Sequence, residues 1–312
     1  MKIDINENEI IKESSEIVDF KILKKITNSG IEKCVCKIIN KNELTIKRSS
    51  GFLLNIPSKK RIIKTFITNN HVIDQNYLDN ENYLLLSIVD DINEDIRKEI
   101  KLNLKKPRIK YTNEKIDFTV IEILPEDTIS NFLDIDDDLS NAYKEKKQIF
   151  ITQYPEGGEL KYSHGKIVGK KENRFYYDAG TLGGSSGSPI LSLDNLRVIG
   201  LHMGKWDKND KINIGIPINT VIEEIKPTKY KLFISNTTNK SLLLEVDESE
   251  TIDNLKKQIQ EKFNLDSDNI WLSSGGIILY NEYKTIGDFI DDFDLYNEMF
   301  IRIIFTSPIR AG

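Results

Sequence analysis

Gly180-Thr181-Leu182-Gly183-Gly184-Ser185-Ser186-Gly187-Ser188-Pro189 is the segment on which the interpretation of this chain depends. It is rich in glycine and carries no charge, although 30% of all residues are Asp, Glu, Lys or Arg. Strand-like sequence lies on both sides of it. A serine in a tight glycine turn exposes its hydroxyl beside converging backbone N–H groups, which is the geometry that acyl transfer requires. Taken alone, the segment fits a flexible Gly/Ser loop equally well.

Length, composition and charge indicate a globular protein of about two domains. The chain has 312 residues, of which 39% are hydrophobic and 9% aromatic. Its formal charge is −5, so neither nucleic acid nor an anionic membrane is an expected partner. The sequence shows no secretory signal, and no apolar stretch approaches the roughly 20 residues that span a bilayer. We therefore expect a cytoplasmic or nuclear protein.

The chain has two cysteines, Cys34 and Cys36. Two residues apart on a predicted strand, they cannot easily form a disulfide, and two thiols make a poor metal site. We expect buried thiols in a reducing compartment.

An acidic stretch near the middle of the chain matches part of a calcium-binding loop. Its candidate ligands are Asp134, Asp136, Asp138 and Glu145. Leu139 occupies the position of the sharp-turn glycine, and strand-like sequence follows where an exit helix belongs. A solvated acidic linker between two β subdomains is the favoured interpretation, with a cation site as the alternative. No metal or other cofactor is expected.

From Glu32 onward the sequence consists of short β-type runs separated by turns. These runs are Cys34–Ile39, Gly51–Ile56, Ile62–Thr68, Tyr83–Val89, Ile100–Leu104, Phe118–Leu124, Gln148–Thr152, Gly165–Val168, Arg174–Tyr177, Pro189–Ser192, Val198–His202 and Ile212–Pro217. Many short strands without long helical periods predict an all-β sandwich or barrel, here in two subdomains.

After the helix breaker Pro227 the pattern changes to a mixed α+β unit. Its predicted strands are Tyr230–Ser235, Leu242–Val246, Ile270–Leu272, Ile277–Leu279 and Phe300–Phe305. Thr251 can cap a helix with one apolar stripe. The predicted divisions are an N-terminal arm (1–28), an all-β domain (29–226) and the α+β domain (229–312).

A serine nucleophile requires a histidine base and a carboxylate that orients it. The chain has three histidines, and His71 ends a predicted strand within TNNHV. Asp117 opens the apolar run IDFTVIEI, and Ser186 lies in GGSSGSP. These motifs, in the order His71, Asp117, Ser186, resemble a chymotrypsin-like (trypsin-like) serine protease over about residues 30–225. The resemblance implies an all-β double β-barrel with Ser186 as nucleophile, His71 as base and Asp117 as its orienting acid.

The same resemblance implies an oxyanion hole made by the backbone N–H groups of Gly184 and Ser186. A rival interpretation exists, because residues 183–187 also match the G-x-S-x-G elbow with Ser185 as nucleophile. That elbow requires a following helix and a histidine last in the chain order. Pro189 instead leads into β-type sequence, which disfavours the rival.

The substrate pocket is also suggested by the resemblance. Gly180 stands where the trypsin branch has the acid that selects Arg or Lys. Thr181 and His202 stand where the glutamyl-endopeptidase branch has its pocket Thr and His. The resemblance implies cleavage after Glu, with Asp or Gln as weaker substrates. The alternative is that His202 is a hydrogen-bonded strand histidine without a role in binding.

Residues 230–312 resemble ubiquitin, most clearly in KSLLLEVDESETIDNLKKQIQEKF, IWLSSGG and the final Arg310-Ala311-Gly312. The resemblance implies a β-grasp fold and ubiquitin-system or proteasome components as partners. A docking domain is the favoured role, with conjugation through Gly312 as the alternative.

The predicted function is that of an intracellular serine endopeptidase that acts on proteins or peptides. The alternative is a ubiquitin-like modifier or interaction protein whose protease domain is an inactive scaffold.

Overall fold

The computed structural model describes residues 26, 29–39, 49–57, 62–90, 97–106, 108–225, 229–235, 241–247, 249–264, 270–274, 277–279, 284–288 and 298–305. The chain forms two compact units. The first ends at Ile225, and the main segment of the second begins at Lys226. The predicted N-terminal arm, apart from Ile26, and the tail Arg310, Ala311 and Gly312 lie outside the described residues.

The first unit is built mainly of strands. They are β1 (Val35–Ile39), β2 (Ser49–Pro57), β3 (Ile62–Thr68), β4 (Tyr83–Val89), β5 (Arg97–Asn103), β6 (Lys110–Asn113), β7 (Phe118–Glu122), β8 (Gln148–Gln153), β9 (Lys161–Lys171), β10 (Arg174–Tyr177), β11 (Pro189–Ser192), β12 (Val198–Trp206) and β13 (Asn209–Pro217). Its helices are α1 (Gln75–Asn80), α2 (Leu139–Ala142) and α3 (Ile218–Ile225), with 3₁₀ turns at Ile31–Cys34, Pro125–Asp127 and Pro155–Gly157. None of the described helices is long and apolar enough to cross a membrane.

The strands form two β subdomains. The first is a seven-stranded antiparallel sheet in the order β5-β4-β1-β2-β3-β7-β6, and the second is a closed barrel in the order β10-β13-β12-β11-β8-β9. One apolar core joins them, since Phe52 and Phe118 of the first share it with Phe150 and Leu201 of the second. Burying each Phe stabilises the fold by roughly 1.5–3 kcal/mol. The predicted chymotrypsin-like all-β architecture is confirmed.

Strand β6 was not predicted from the sequence. Its residues, Lys110 to Asn113, are mostly polar and lack an apolar run. The strand forms by pairing with β7, in a register that places Asn113 opposite Phe118. The hairpin turn between these two strands ends at Asp117, so β6 matters for the position of that residue.

Carboxylates of the acidic stretch accept hydrogen bonds from protein side chains. Asp134 Oδ1 accepts from Asn55 Nδ2 at 3.0 Å, and the Asp138 carboxylate accepts from Ser140 Oγ and Asn141 Nδ2 at 2.7 and 2.6 Å. Within the described part of the chain, no three His, Cys, Asp or Glu side chains are grouped to hold a metal ion.

The second unit combines one sheet with one helix. Its elements are β14 (Lys229–Ser235), β15 (Ser241–Asp247), α4 (Ile252–Phe263), β16 (Ile270–Ser274), β17 (Ile277–Ile278) and β18 (Glu298–Phe305). The strand order is β15-β14-β18-β16-β17, with β14 and β18 parallel. Thr251 Oγ1 caps α4 by accepting from Asn254 N at 3.2 Å, as predicted, and Ile252, Leu255 and Ile259 are its buried stripe. The predicted α+β composition of this unit is confirmed.

Candidate active site

Asp117 lies at the end of the β6–β7 turn in a left-handed backbone conformation, with φ of 70°. Such a conformation costs a non-glycine residue about 1–3 kcal/mol and persists where the surroundings enforce it. Asn113 O accepts from Asp117 N at 2.8 Å, and Asn69 Nδ2 donates to Asp117 O at 3.0 Å. Contacts on both sides of the residue therefore fix its backbone.

His71 follows β3 and faces the carboxylate of Asp117. Asp117 Oδ1 accepts from the backbone N of His71 at 2.9 Å, and Oδ2 lies 2.9 Å from His71 Nδ1. Because an ionised carboxylate only accepts, we assign the ring proton to Nδ1. The His71 side chain is half exposed, whereas that of Asp117 is 10% exposed. In the neutral tautomer this leaves Nε2 as the nitrogen without a proton, on an accessible ring.

Ser186 belongs to the loop between β10 and β11. Its Oγ donates to Met203 O at 3.3 Å, and its carbonyl accepts from Ser50 N at 2.9 Å. Among the hydrogen bonds of the described residues, Ser186 Oγ has this one and none to His71. The structure thus pairs His71 with Asp117 and leaves Ser186 unlinked to the pair.

The two candidate serines differ in their surroundings. Ser185 is fully buried, and its Oγ accepts from Leu182 N at 3.3 Å. Ser186 is half-buried and its hydroxyl reaches the backbone of β12. Burial of Ser185 Oγ disfavours it as the nucleophile.

Several backbone N–H groups of the loop that carries Ser186 have no acceptor within the described residues, and two of them lie at and just before the candidate nucleophile. Gly184 has φ of +85°, which a glycine adopts without strain. Within the described residues, the N–H groups of Gly184 and Ser186 have no acceptor. Ser50 holds the same two residues through their carbonyls, donating Oγ–H to Gly184 O at 3.0 Å and N–H to Ser186 O. Sequence reasoning missed Ser50, because nothing in its neighbourhood along the chain signals this contact.

His202 and Thr181 are buried and belong to two separate hydrogen-bonded groups. Tyr177 Oη is 2.5 Å from His202 Nδ1, and Thr181 Oγ1 donates to Asn213 Oδ1 at 2.6 Å. Asn213 Nδ2 in turn donates to Ala179 O at 2.6 Å. The sequence did not point to Tyr177 or Asn213, which are adjacent to the candidate pocket through pairing of β10 with β13.

Burial determines the protonation of the Tyr177–His202 pair. Desolvation, with a further contribution from His71, lowers the pKa of His202 to about 3. Burial also raises the pKa of Tyr177 well above its usual value, so the phenol keeps its proton. Tyr177 therefore donates to His202 Nδ1, and the ring proton of His202 is on Nε2. Among the hydrogen bonds of the described residues none involves His202 Nε2, and the His202 residue is 2% exposed.

The sequence matches two protein families. Residues 49–201 match the trypsin-like peptidase domain, and residues 232–294 match the ubiquitin family. A search of curated proteins found no match.

Several solved structures are similar to this chain. The Rv3671c protease of M. tuberculosis in its active form is 16% identical, with a TM-score of 0.49 over 66% of this chain and 86% of that one. Deg5 is 19% identical, with a TM-score of 0.49 over 67% of this chain and 94% of that one. The serine endoprotease of Yersinia pestis is 14% identical, with a TM-score of 0.47 over 66% of this chain and 68% of that one.

Proposed function

We propose that this chain, a serine peptidase with a trypsin-like peptidase domain followed by a ubiquitin-family domain, cleaves proteins or peptides through a triad of Ser186, His71 and Asp117. The observation that carries the proposal is the Asp117 carboxylate, which binds both the backbone N and Nδ1 of His71. This pairing keeps the proton on Nδ1 and leaves Nε2 to act as the base.

The chemistry requires one rearrangement of Ser186. Its hydroxyl leaves Met203 O and turns towards His71 Nε2, a contact that in many peptidases tightens only when substrate binds. The Ser186 proton then passes to Nε2 while Oγ bonds to the substrate carbonyl carbon. The N–H groups of Gly184 and Ser186 receive the oxyanion. His71 next protonates the leaving amine, and water repeats the sequence to release the acyl group.

The proposed specificity is cleavage after Glu, with Asp and Gln as weaker substrates. His202 Nε2–H is an uncharged donor for a side-chain oxygen of the substrate residue on the acyl side of the scissile bond. Tyr177 fixes this tautomer from behind the ring. The pocket position that carries an acid in the trypsin branch is Gly180, so the pocket has no carboxylate there for Arg or Lys.

We propose a docking role for the ubiquitin-like domain, with ubiquitin-system or proteasome components as partners. Its support is the family match at residues 232–294. The proposed bounds of the two domains are 29–226 and 229–312. A cytoplasmic or nuclear location accords with the thiols of Cys34 and Cys36, which are buried and not joined in a disulfide.

Peptide profiling tests the specificity. A hydrogen bond to a charged group contributes about 1.5–3 kcal/mol and one to a neutral group about 0.5–1.5 kcal/mol. We therefore expect kcat/KM after Glu to exceed that after Gln by about tenfold. The Glu-to-Gln ratio should stay constant between pH 8 and pH 6, because His202 remains neutral throughout this range. Preference for Arg or Lys, or a ratio that follows a titration in this range, would contradict the proposed pocket.

The matched variant is Tyr177→Phe, which removes only the hydroxyl. His202 Nδ1 then loses its donor and the ring tautomer is no longer fixed, so kcat/KM after Glu should fall about tenfold. The rate at which a fluorophosphonate labels Ser186 should stay within about twofold, because the reagent does not use the pocket. Unchanged peptide kinetics in this variant would show that His202 has no part in binding.

A further inference from the structure

We propose that Arg174, in β10 of the second β subdomain, positions Asp117 of the first. Arg174 Nη2 donates to Ile116 O at 2.8 Å and lies 3.5 Å from Lys115 O. Nη1 donates to Asn173 O at 2.9 Å, which anchors the guanidinium in its own subdomain. The inference rests on the proposed triad, since it assigns Arg174 a role that acts through Asp117.

Arg174 contacts the β6–β7 turn directly before the strained residue Asp117. Ile116 immediately precedes Asp117, whose left-handed backbone is strained in isolation. On the β6 side, Asn113 holds the turn by accepting from Ile116 N at 3.0 Å and from Asp117 N at 2.8 Å. Arg174 binds carbonyl oxygens of the same turn from the opposite subdomain. A planar guanidinium suits this role, because it presents several N–H groups in a fixed geometry.

The charge of Arg174 also acts on the site. Burial lowers the pKa of Arg174, and the negative charge of Asp117 opposes that shift. Arginine remains protonated at working pH. Arg174 therefore interacts electrostatically with Asp117, the partner of His71, and His71 in turn with His202 of β12.

A double-mutant cycle between Arg174 and Asp117 tests the inference. The rate constant for fluorophosphonate labelling of the full-length protein is measured, because it requires no knowledge of the substrate. Arg174→Gln keeps an amide group that can donate, but it loses the planar guanidinium with its several N–H groups and its positive charge. We expect labelling to slow about tenfold. Asp117→Asn should slow it about 10⁴-fold. If Arg174 acts through Asp117, the double variant should be within about threefold of Asp117→Asn alone.

Lys171→Gln is the matched control. Lys171 is exposed and pairs directly with Arg174 in the β9–β10 register, so the change removes a nearby cation without touching the turn. This control should label at the wild-type rate. Additive losses in the double variant, or a loss in Lys171→Gln equal to that in Arg174→Gln, would overturn the inference.

A second measurement does not depend on activity. In the Ser186→Ala protein, the low-field NMR signal of His71 Nδ1–H reports the bond to Asp117. We expect Arg174→Gln to broaden or shift that signal while Lys171→Gln leaves it unchanged. An unaltered signal in Arg174→Gln would overturn the inference even if the triad proves correct. Failure of the wild type to label would instead count against the proposed function, so the two failures are distinguishable.

Discussion

Replacing Asp117 with Asn is expected to lower kcat/KM about 10⁴-fold, the loss that this substitution causes in a trypsin-like triad. The side chain keeps its size, and its oxygen can still accept from the backbone N of His71. Its amide, however, presents N–H groups to His71 Nδ1, which then must accept. The ring proton moves to Nε2, and His71 can no longer take the proton of Ser186.

The measurement is steady-state cleavage of a peptide with Glu at the acyl side, together with thermal unfolding. The melting temperature should change little, because two hydrogen bonds of Asp117 involve only its backbone. Asn69 donates to Asp117 O, and Asp117 N donates to Asn113 O. Asp117→Asn activity within tenfold of wild type would exclude Asp117 as the orienting acid.

The second large effect is expected for Gly187→Ala, next to the proposed nucleophile. Gly187 has φ of +88°, and a Cβ there would lie 2.0 Å from Ser50 O and 2.4 Å from Thr68 Oγ1. Ser50 O cannot move freely, since it accepts from Thr68 Oγ1 at 2.8 Å. Left-handed strain and overpacking together should lower the free energy of unfolding by about 3 kcal/mol or more. The loop must also shift, which should abolish labelling of Ser186.

Gly183→Ala is the control for this prediction, because a Cβ at Gly183 would meet no atom within 4 Å. Gly183 lies in the same loop as Gly187, and the Gly183→Ala protein should be as stable as the wild type. The two variants are compared by chemical denaturation. Equal stabilities of Gly187→Ala and wild type would show that the packing of this loop against Ser50 is looser than described.

The strand pattern and the order of the three catalytic candidates could be predicted from the sequence. Apolar alternation identifies β strands because one face of each is buried, and Asp117 is recognisable as a lone acid before the apolar strand β7. Strand β6 could not be predicted from the sequence, because its residues are mostly polar and the strand is defined by its pairing with β7.

Residues that act through tertiary contacts left no local signal. Ser50 lies in β2 and binds carbonyls of Gly184 and Ser186 across more than a hundred residues of chain. Arg174 begins a predicted strand, where nothing in the sequence distinguishes it from a surface cation, and only the fold brings it to the β6–β7 turn. The hydrogen bond between Tyr177 and His202 likewise depends on the way β10 and β12 flank β13. Spacing along the chain carries no information about such contacts.

Fluorophosphonate labelling of the full-length protein tests the central claim most directly. The proposed triad predicts that the wild type and Ser185→Ala label, that the label lies on Ser186, and that Ser186→Ala and His71→Ala do not react. Loss of labelling in Ser185→Ala with retention in Ser186→Ala would contradict the assignment of the nucleophile. Absence of labelling in a folded wild type would contradict the proposed activity and favour an inactive scaffold.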